Sequence, residues 1–164
     1  MTRPTRTTAE LIAASEHLHY EIWMFVALAN GMASGIVGQG PINNALLESF
    51  TVHGRILLDF LYSDKPQADD VIAEDFFPDP DQWLQSRPPK TDLLKSVHRR
   101  VAKEVAHLTY ARQVVTPETK PWPFVQVAND VNAVFSRFLS KVPLNSLGPN
   151  WEDLKRQRRE GEAA

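Results

Sequence analysis

Apolar residues recur along this chain at three- and four-residue spacing, the period of helices buried on one side. The first stripe is Leu11, Leu18, Ile22, Phe25, Val26 and Ala29, opened by Thr7 with Glu10 three residues on. That opening is the pattern of a capping box. A second helix is predicted from Pro41, which suits a first turn, to about Tyr62, along Leu46, Phe50, Gly54, Leu57 and Leu61. Gly54 within that stripe predicts close approach of a neighbouring helix. The third is predicted from Thr91 to about Val115, along Leu93, Val97, Val101, Val105, Leu108 and Val115. The fourth, Phe124 to Val142, has the cleanest stripe: Phe124, Val127, Val131, Val134, Phe135, Phe138 and Val142. No segment reads as a strand. The pattern predicts an all-α fold, a helical bundle of four main helices.

Between the stripes lie two connectors. Gly31 to Gly40 is glycine-rich, with no strand before it and no Lys-Ser or Lys-Thr after it, so it reads as a loop rather than a phosphate cradle. Ser63 to Lys90 holds five of the twelve prolines and an acidic run from Asp69-Asp70 to Asp75. Its apolar pairs Val71-Ile72 and Phe76-Phe77 predict a long ordered connector anchored to the bundle, with one short helical turn at Asp81–Leu84. Pro117, Pro121 and Pro123 separate the third helix from the fourth. The domain reading is one helical-bundle domain over residues 1–150. A basic C-terminal tail follows over residues 151–164, carrying Lys155, Arg156, Arg158 and Arg159, as a short exposed helix or a disordered end.

Composition narrows the function classes. With 164 residues and a formal net charge of −2, the chain is one domain without a whole-surface footprint for nucleic acid, so any such contact is local. It has no cysteine, which excludes disulfides, thiolate metal sites and cysteine nucleophiles and suits a cytoplasmic protein. No apolar run approaches the ~20 residues a membrane span needs, so no membrane role is expected. Met1-Thr-Arg-Pro is not followed by the apolar segment of a secretory signal.

The densest candidate chemistry is Arg100-Val-Ala-Lys-Glu-Val-Ala-His107. On one continuous helix, Arg100 and His107 are two turns and roughly 10 Å apart on nearly the same face, with Lys103 and Glu104 between them. Measured from the core stripe, Glu104 lies at about 35°, Arg112 about 45°, Arg100 about 75° and His107 about 95°. Glu104 and Arg112 are thus expected to face the core and to need partners on other helices. His53, within the second stripe, is a candidate partner for Glu104; Asp59 or Glu21 is one for Arg112. His17 and His98 are expected on outward faces. Arg55 and Asp59 are expected as an i,i+4 pair.

An Arg, six residues and a His on the penultimate helix of a small bundle resembles the HEPN superfamily, whose motif is an Arg, four to six residues, then a His. The resemblance implies a homodimer whose motif helices face one another and form a composite RNA-cleaving site, in defence or toxin–antitoxin systems. In that reading the protein is a metal-independent endoribonuclease or an RNA-binding protein. His107 is then the general acid/base, Arg100 binds the scissile phosphate and Lys103 adds charge, while Glu104, Arg112 and His53 support them. A second resemblance covers most of the chain. Asn43 to Phe50 with His53, Asp69-Asp70, Glu74 to Phe77 and Lys103 to Arg112 look like a group of small uncharacterised bacterial proteins, which implies no activity.

Two alternatives stand beside this one. The first is a non-catalytic dimerising or interaction bundle, with His53, Glu104, His107 and Arg112 in a buried polar network. The other is a di-metal carboxylate bundle built on Glu16-x-x-His19 and Glu104-x-x-His107. That site lacks its inward carboxylates, since Glu48 and Asp130 face away from their stripes. No metal and no cofactor are therefore expected.

Overall fold

The structure, a computed structural model, describes residues 3–35 and 38–162. Among them it is all-helical, with six α-helices and no strand. The helices are α1 (Thr8–Ala33), α2 (Pro41–Tyr62), α3 (Asp81–Ser86), α4 (Asp92–Arg100), α5 (Phe124–Leu139) and α6 (Glu152–Glu162). The capping box at α1 forms in full: Thr7 Oγ1 accepts from the Glu10 amide, and Glu10 Oε2 accepts from the Thr7 amide at 2.7 Å. Ile36 and Val37, within the glycine-rich connector, lie outside the described residues. Gly40 closes that connector at φ +126°, a conformation that side-chain-bearing residues rarely adopt, directly before Pro41 in the first turn of α2.

Packing of α1 on α2 depends on Gly54. A Cβ there would lie 3.0 Å from Phe25 Cε2, and the Phe25 ring stacks on Phe50 at 4.6 Å. The other aromatic centre is Phe138 of α5, with Phe60, Phe76, Phe77, Trp83 and Phe135 around it at 5.1–5.9 Å. Most of these rings meet edge to face, the preferred arrangement for aromatic quadrupoles.

The 63–90 connector is ordered, and the reason is visible in its polar contacts. Trp83 Nε1 and Arg87 Nη1 both donate to the Leu61 carbonyl, at 3.2 and 3.0 Å, which satisfies the end of α2. Ile72, Phe76 and Phe77 are buried. Arg3 donates to Asp75 Oδ2 at 2.6 Å and to the Asp70 and Gln67 carbonyls, and Arg6 donates to the Ala68 carbonyl. The start of the chain therefore holds the connector in place.

The predicted third helix is shorter than its pattern suggests. Thr91 caps it as expected, accepting from the Leu94 amide. Regular α-helix then ends at Arg100. Residues Val101–Val105 form a π turn closed by the Ala106 amide on the Val101 carbonyl at 2.8 Å, and the chain bends. Only a short 3₁₀ helix, Tyr110–Val114, follows, with none of its residues buried. Leu108, placed in the core stripe by a continuous helix, is 91% exposed. The stretch from Ala106 to Pro121 is therefore an arm outside the core.

The C-terminal segment docks on the rest of the fold. Trp151 is buried, its Nε1 donating to the Ser15 carbonyl at 3.0 Å. Arg158 donates to the Leu139 and Val142 carbonyls at the end of α5, where a cation is favoured. No helix among the described residues is long and apolar enough to cross a membrane.

Candidate functional site

Arg100 sits at the root of the arm, half-buried and fully engaged. Its Nε and Nη2 reach both carboxylate oxygens of Glu104, at 2.9–3.1 Å. Nη1 donates to the Pro121 carbonyl and Nη2 to the Lys120 carbonyl, at 3.3 and 3.2 Å. The guanidinium also lies 4.0 Å from the centre of the Trp122 ring, a cation–π contact. Arg100 thus ties the π turn to the proline-rich return of the arm. Beside this tie is a cavity of about 580 Å³, lined by Asn43, Asn44, Leu47, Lys120 and Trp122 among others.

Glu104 therefore finds its partner one turn back on its own segment, not His53 on α2. Arg112 likewise does not meet Asp59 or Glu21; it is exposed and its Nη2 donates to the Val105 carbonyl at 3.2 Å. Thr109 Oγ1 donates to the Lys103 carbonyl at 2.7 Å. These two side chains satisfy carbonyls that a helix leaves orphaned at its end. Lys103 and His107 are exposed. These residues share a face only on one continuous helix, and the π turn between Arg100 and His107 breaks that phase.

His53 pairs instead with Glu21 of α1, Nδ1 to Oε2 at 2.6 Å, with the Tyr20 ring edge-on at 5.9 Å. A second histidine–carboxylate pair, absent from the sequence reading, joins His98 Nε2 of α4 to Asp59 Oδ1 at 2.7 Å. Arg55 completes that pair from one turn away, at 3.4 Å. Burial pushes the Asp59 carboxyl up, but the hydrogen bond and charge of His98, together with Arg55, outweigh it and hold it below the usual range. Glu21 and Asp59 line a cleft of about 510 Å³ with His17, Lys65 and Asp70, over Leu18, Phe60 and Ile72. Neither pair was legible, because each partner lies on a different helix and nothing in the spacing links them.

The residues of the di-metal alternative are dispersed. Glu16 Oε1 accepts from the Asn150 amide, His19 stands edge-on to Trp151 at 5.0 Å, and Glu104 holds Arg100. Among the described residues, no group of three or more His, Asp and Glu side chains is placed to hold a metal ion.

The arm and its root concentrate positive charge. From Arg99 to Lys120 the chain has five Lys and Arg residues against two carboxylates, whereas Asp64 to Asp81 has seven carboxylates against one Lys. Of the cations in that stretch, Arg99 and Lys103 before the arm and Arg112 and Lys120 on it are exposed, and Tyr110 on the arm is 89% exposed. Comparison of the chain with protein-family models, with curated proteins and with solved structures finds no match.

Proposed function

We propose that this chain is a HEPN-like helical protein that binds RNA on the arm following α4 and acts as a homodimer of the defence or toxin–antitoxin kind. The reading takes α1, α2, α4 and α5 as its bundle of four main helices. One observation carries it: Arg99, Lys103, His107, Arg112, Lys120 and Tyr110 are all exposed within one stretch of 22 residues, on a chain whose net charge is otherwise negative. Cations that meet phosphates and a ring that stacks on a base are the two parts of a single-strand RNA contact. Metal-independent cleavage would use His107 as acid/base, with Lys103 and Arg112 on the phosphate. Arg100, bound to Glu104 and Trp122, would hold the arm rather than the scissile phosphate.

Fluorescence anisotropy with a short single-stranded RNA tests the binding. Lys103→Ala with Arg112→Ala should weaken it and lower the slope of log affinity against log salt by about 1.4. An unchanged slope would sink the arm as the RNA contact. Cleavage is tested in EDTA with His107→Ala, which should lose about 10²-fold or more of the rate. Equal cleavage by both proteins, or none by either, leaves no role for His107 as a catalyst.

A second reading, a non-catalytic interaction bundle, is favoured by the engagement of every Arg100 nitrogen within its own chain. Binding of no RNA at all would select it.

A further inference from the structure

Two elements bring their cations to one hollow. Lys95, His98 and Arg99, at i, i+3 and i+4, share a face of α4, and the end of the 63–90 connector adds Arg87 and Lys90. Together they line a pocket of about 610 Å³, where Asp64 is the only carboxylate among the described lining residues. On a chain of net charge −2 this is a local excess of positive charge. Part of it is used within the protein. Arg87 meets the Leu61 carbonyl at 3.0 Å and Glu74 at 3.6 Å, and His98 meets Asp59 at 2.7 Å. Lys90 and Arg99 differ: among the described residues, neither makes a hydrogen bond or an ion pair. Lys90 is half-buried, its Nζ 5.4 Å from the centre of the Tyr62 ring. Burial, with Arg87 nearby, holds its ammonium below the usual range against the pull of Asp59 and Asp64. Lys95 is bonded to Asp92 at 3.0 Å, but that carboxylate is 98% exposed, so the pair is weak and open to exchange for a ligand.

We propose that this pocket binds a small phosphomonoester, its phosphate among Lys90, Lys95 and Arg99 and its organic part on Leu84, Pro88 and Pro89. A phosphomonoester near neutral pH carries close to two charges and three strong acceptor oxygens, so cations from two elements can each meet one. A carboxylate offers one charge and two oxygens. The organic part is assigned from the other lining residues: Leu84 is 44% exposed there, an apolar side chain beside the cations. The volume lies within the range of about 300–1,000 Å³ found for small-ligand pockets. The pocket shares Arg99 with the RNA contact proposed above, and no residue of the arm lines it.

Calorimetric titration of phenyl phosphate into the full chain at about pH 8, where a phosphomonoester is a dianion, tests this. Wild type should bind one equivalent, and benzoate, with the same ring and a single charge, should bind about tenfold more weakly or not at all. Lys90→Met keeps the stem and removes the charge. That variant and Arg99→Gln should each weaken phenyl phosphate about tenfold. Arg99 is exposed, so Arg99→Gln decides should Lys90→Met fail to fold. Lys103→Ala with Arg112→Ala should leave this binding unchanged, whatever it does to RNA. No binding by wild type, or equal binding by wild type and both pocket variants, overturns the pocket. Loss of binding in the Lys103 and Arg112 variant moves the anion to the arm and overturns it as well. Benzoate bound as tightly as phenyl phosphate overturns the phosphomonoester. A short RNA bound better with a 5′ phosphate than without one, on a chain that ignores phenyl phosphate, overturns the small ligand in favour of an RNA end.

Discussion

Ser15 has no exposed surface, and its hydroxyl works in both directions. Oγ donates to the Ile12 carbonyl at 2.7 Å and accepts from the Gly148 amide at 2.8 Å. A Cβ at Gly148 would meet Glu16 Oε1 at 2.1 Å, so a larger residue there would have to displace that carboxylate. Ser15→Ala strands a buried amide, so it should cost about 1–3 kcal/mol in urea unfolding; a loss near zero would mean that the amide finds another acceptor. Glu74 is a buried acid of a different kind. One carboxylate oxygen is 3.6 Å from Arg87 and the other, among the described residues, has no hydrogen-bond partner. Burial raises its pKa, only partly countered by a backbone hydrogen bond and Arg87. The folded chain therefore keeps this proton to a higher pH than the unfolded chain does. Between those two values folding takes up a proton, so stability falls as pH rises. Glu74→Gln should melt above wild type at pH 7, and the gap should close near pH 4, where wild type is protonated. The same gap at both pH values would count against a titrating Glu74.

At the scale of elements, the end of α4 and the start of α6 show why sequence patterns mislead in opposite directions. Val101, Val105 and Leu108 continue a helical stripe, but helix period alone does not reveal that a π turn will change the phase. The contacts at this end are side chains bonded to backbone, Thr109 to the Lys103 carbonyl and Arg112 to the Val105 carbonyl. In a sequence, such residues look like ordinary members of the helix. The basic stretch from Trp151 reads by composition as a short exposed helix or a disordered end, yet its first residue is part of the core. Trp151 is 5% exposed and packs against His19 and Phe135. Trp151→Ala should cost about 3–5 kcal/mol by chemical denaturation, the range for a buried aromatic. A cost below about 1 kcal/mol would fit a surface residue and not this packing.

Across the whole molecule, the helices were legible where local chemistry and period agreed. Thr7 with Glu10, Pro41 and Thr91 marked three helix starts, and Gly54 marked a close helix contact because only a missing Cβ admits Phe25. The candidate site was less legible. Its residue types were visible, but their partners were not. His53 found Glu21, His98 found Asp59, and Glu104 turned back to Arg100, choices set by where separate helices come to lie. The separation of charge was visible in composition by segment. That the basic segment stands off the core as an arm was not, because it depends on the break after Arg100.

The bond between Ser15 and Gly148 spans 133 residues of chain. It also sets an order of events during synthesis. The acceptor on α1 is made 133 residues before its donor. At 5–20 residues per second, about 7 to 27 s pass between them. Throughout that interval the middle of α1 lacks the turn that covers it, and the nascent chain presents an open seam. Closure of the fold over α1 therefore waits until the segment that carries Gly148 has been made.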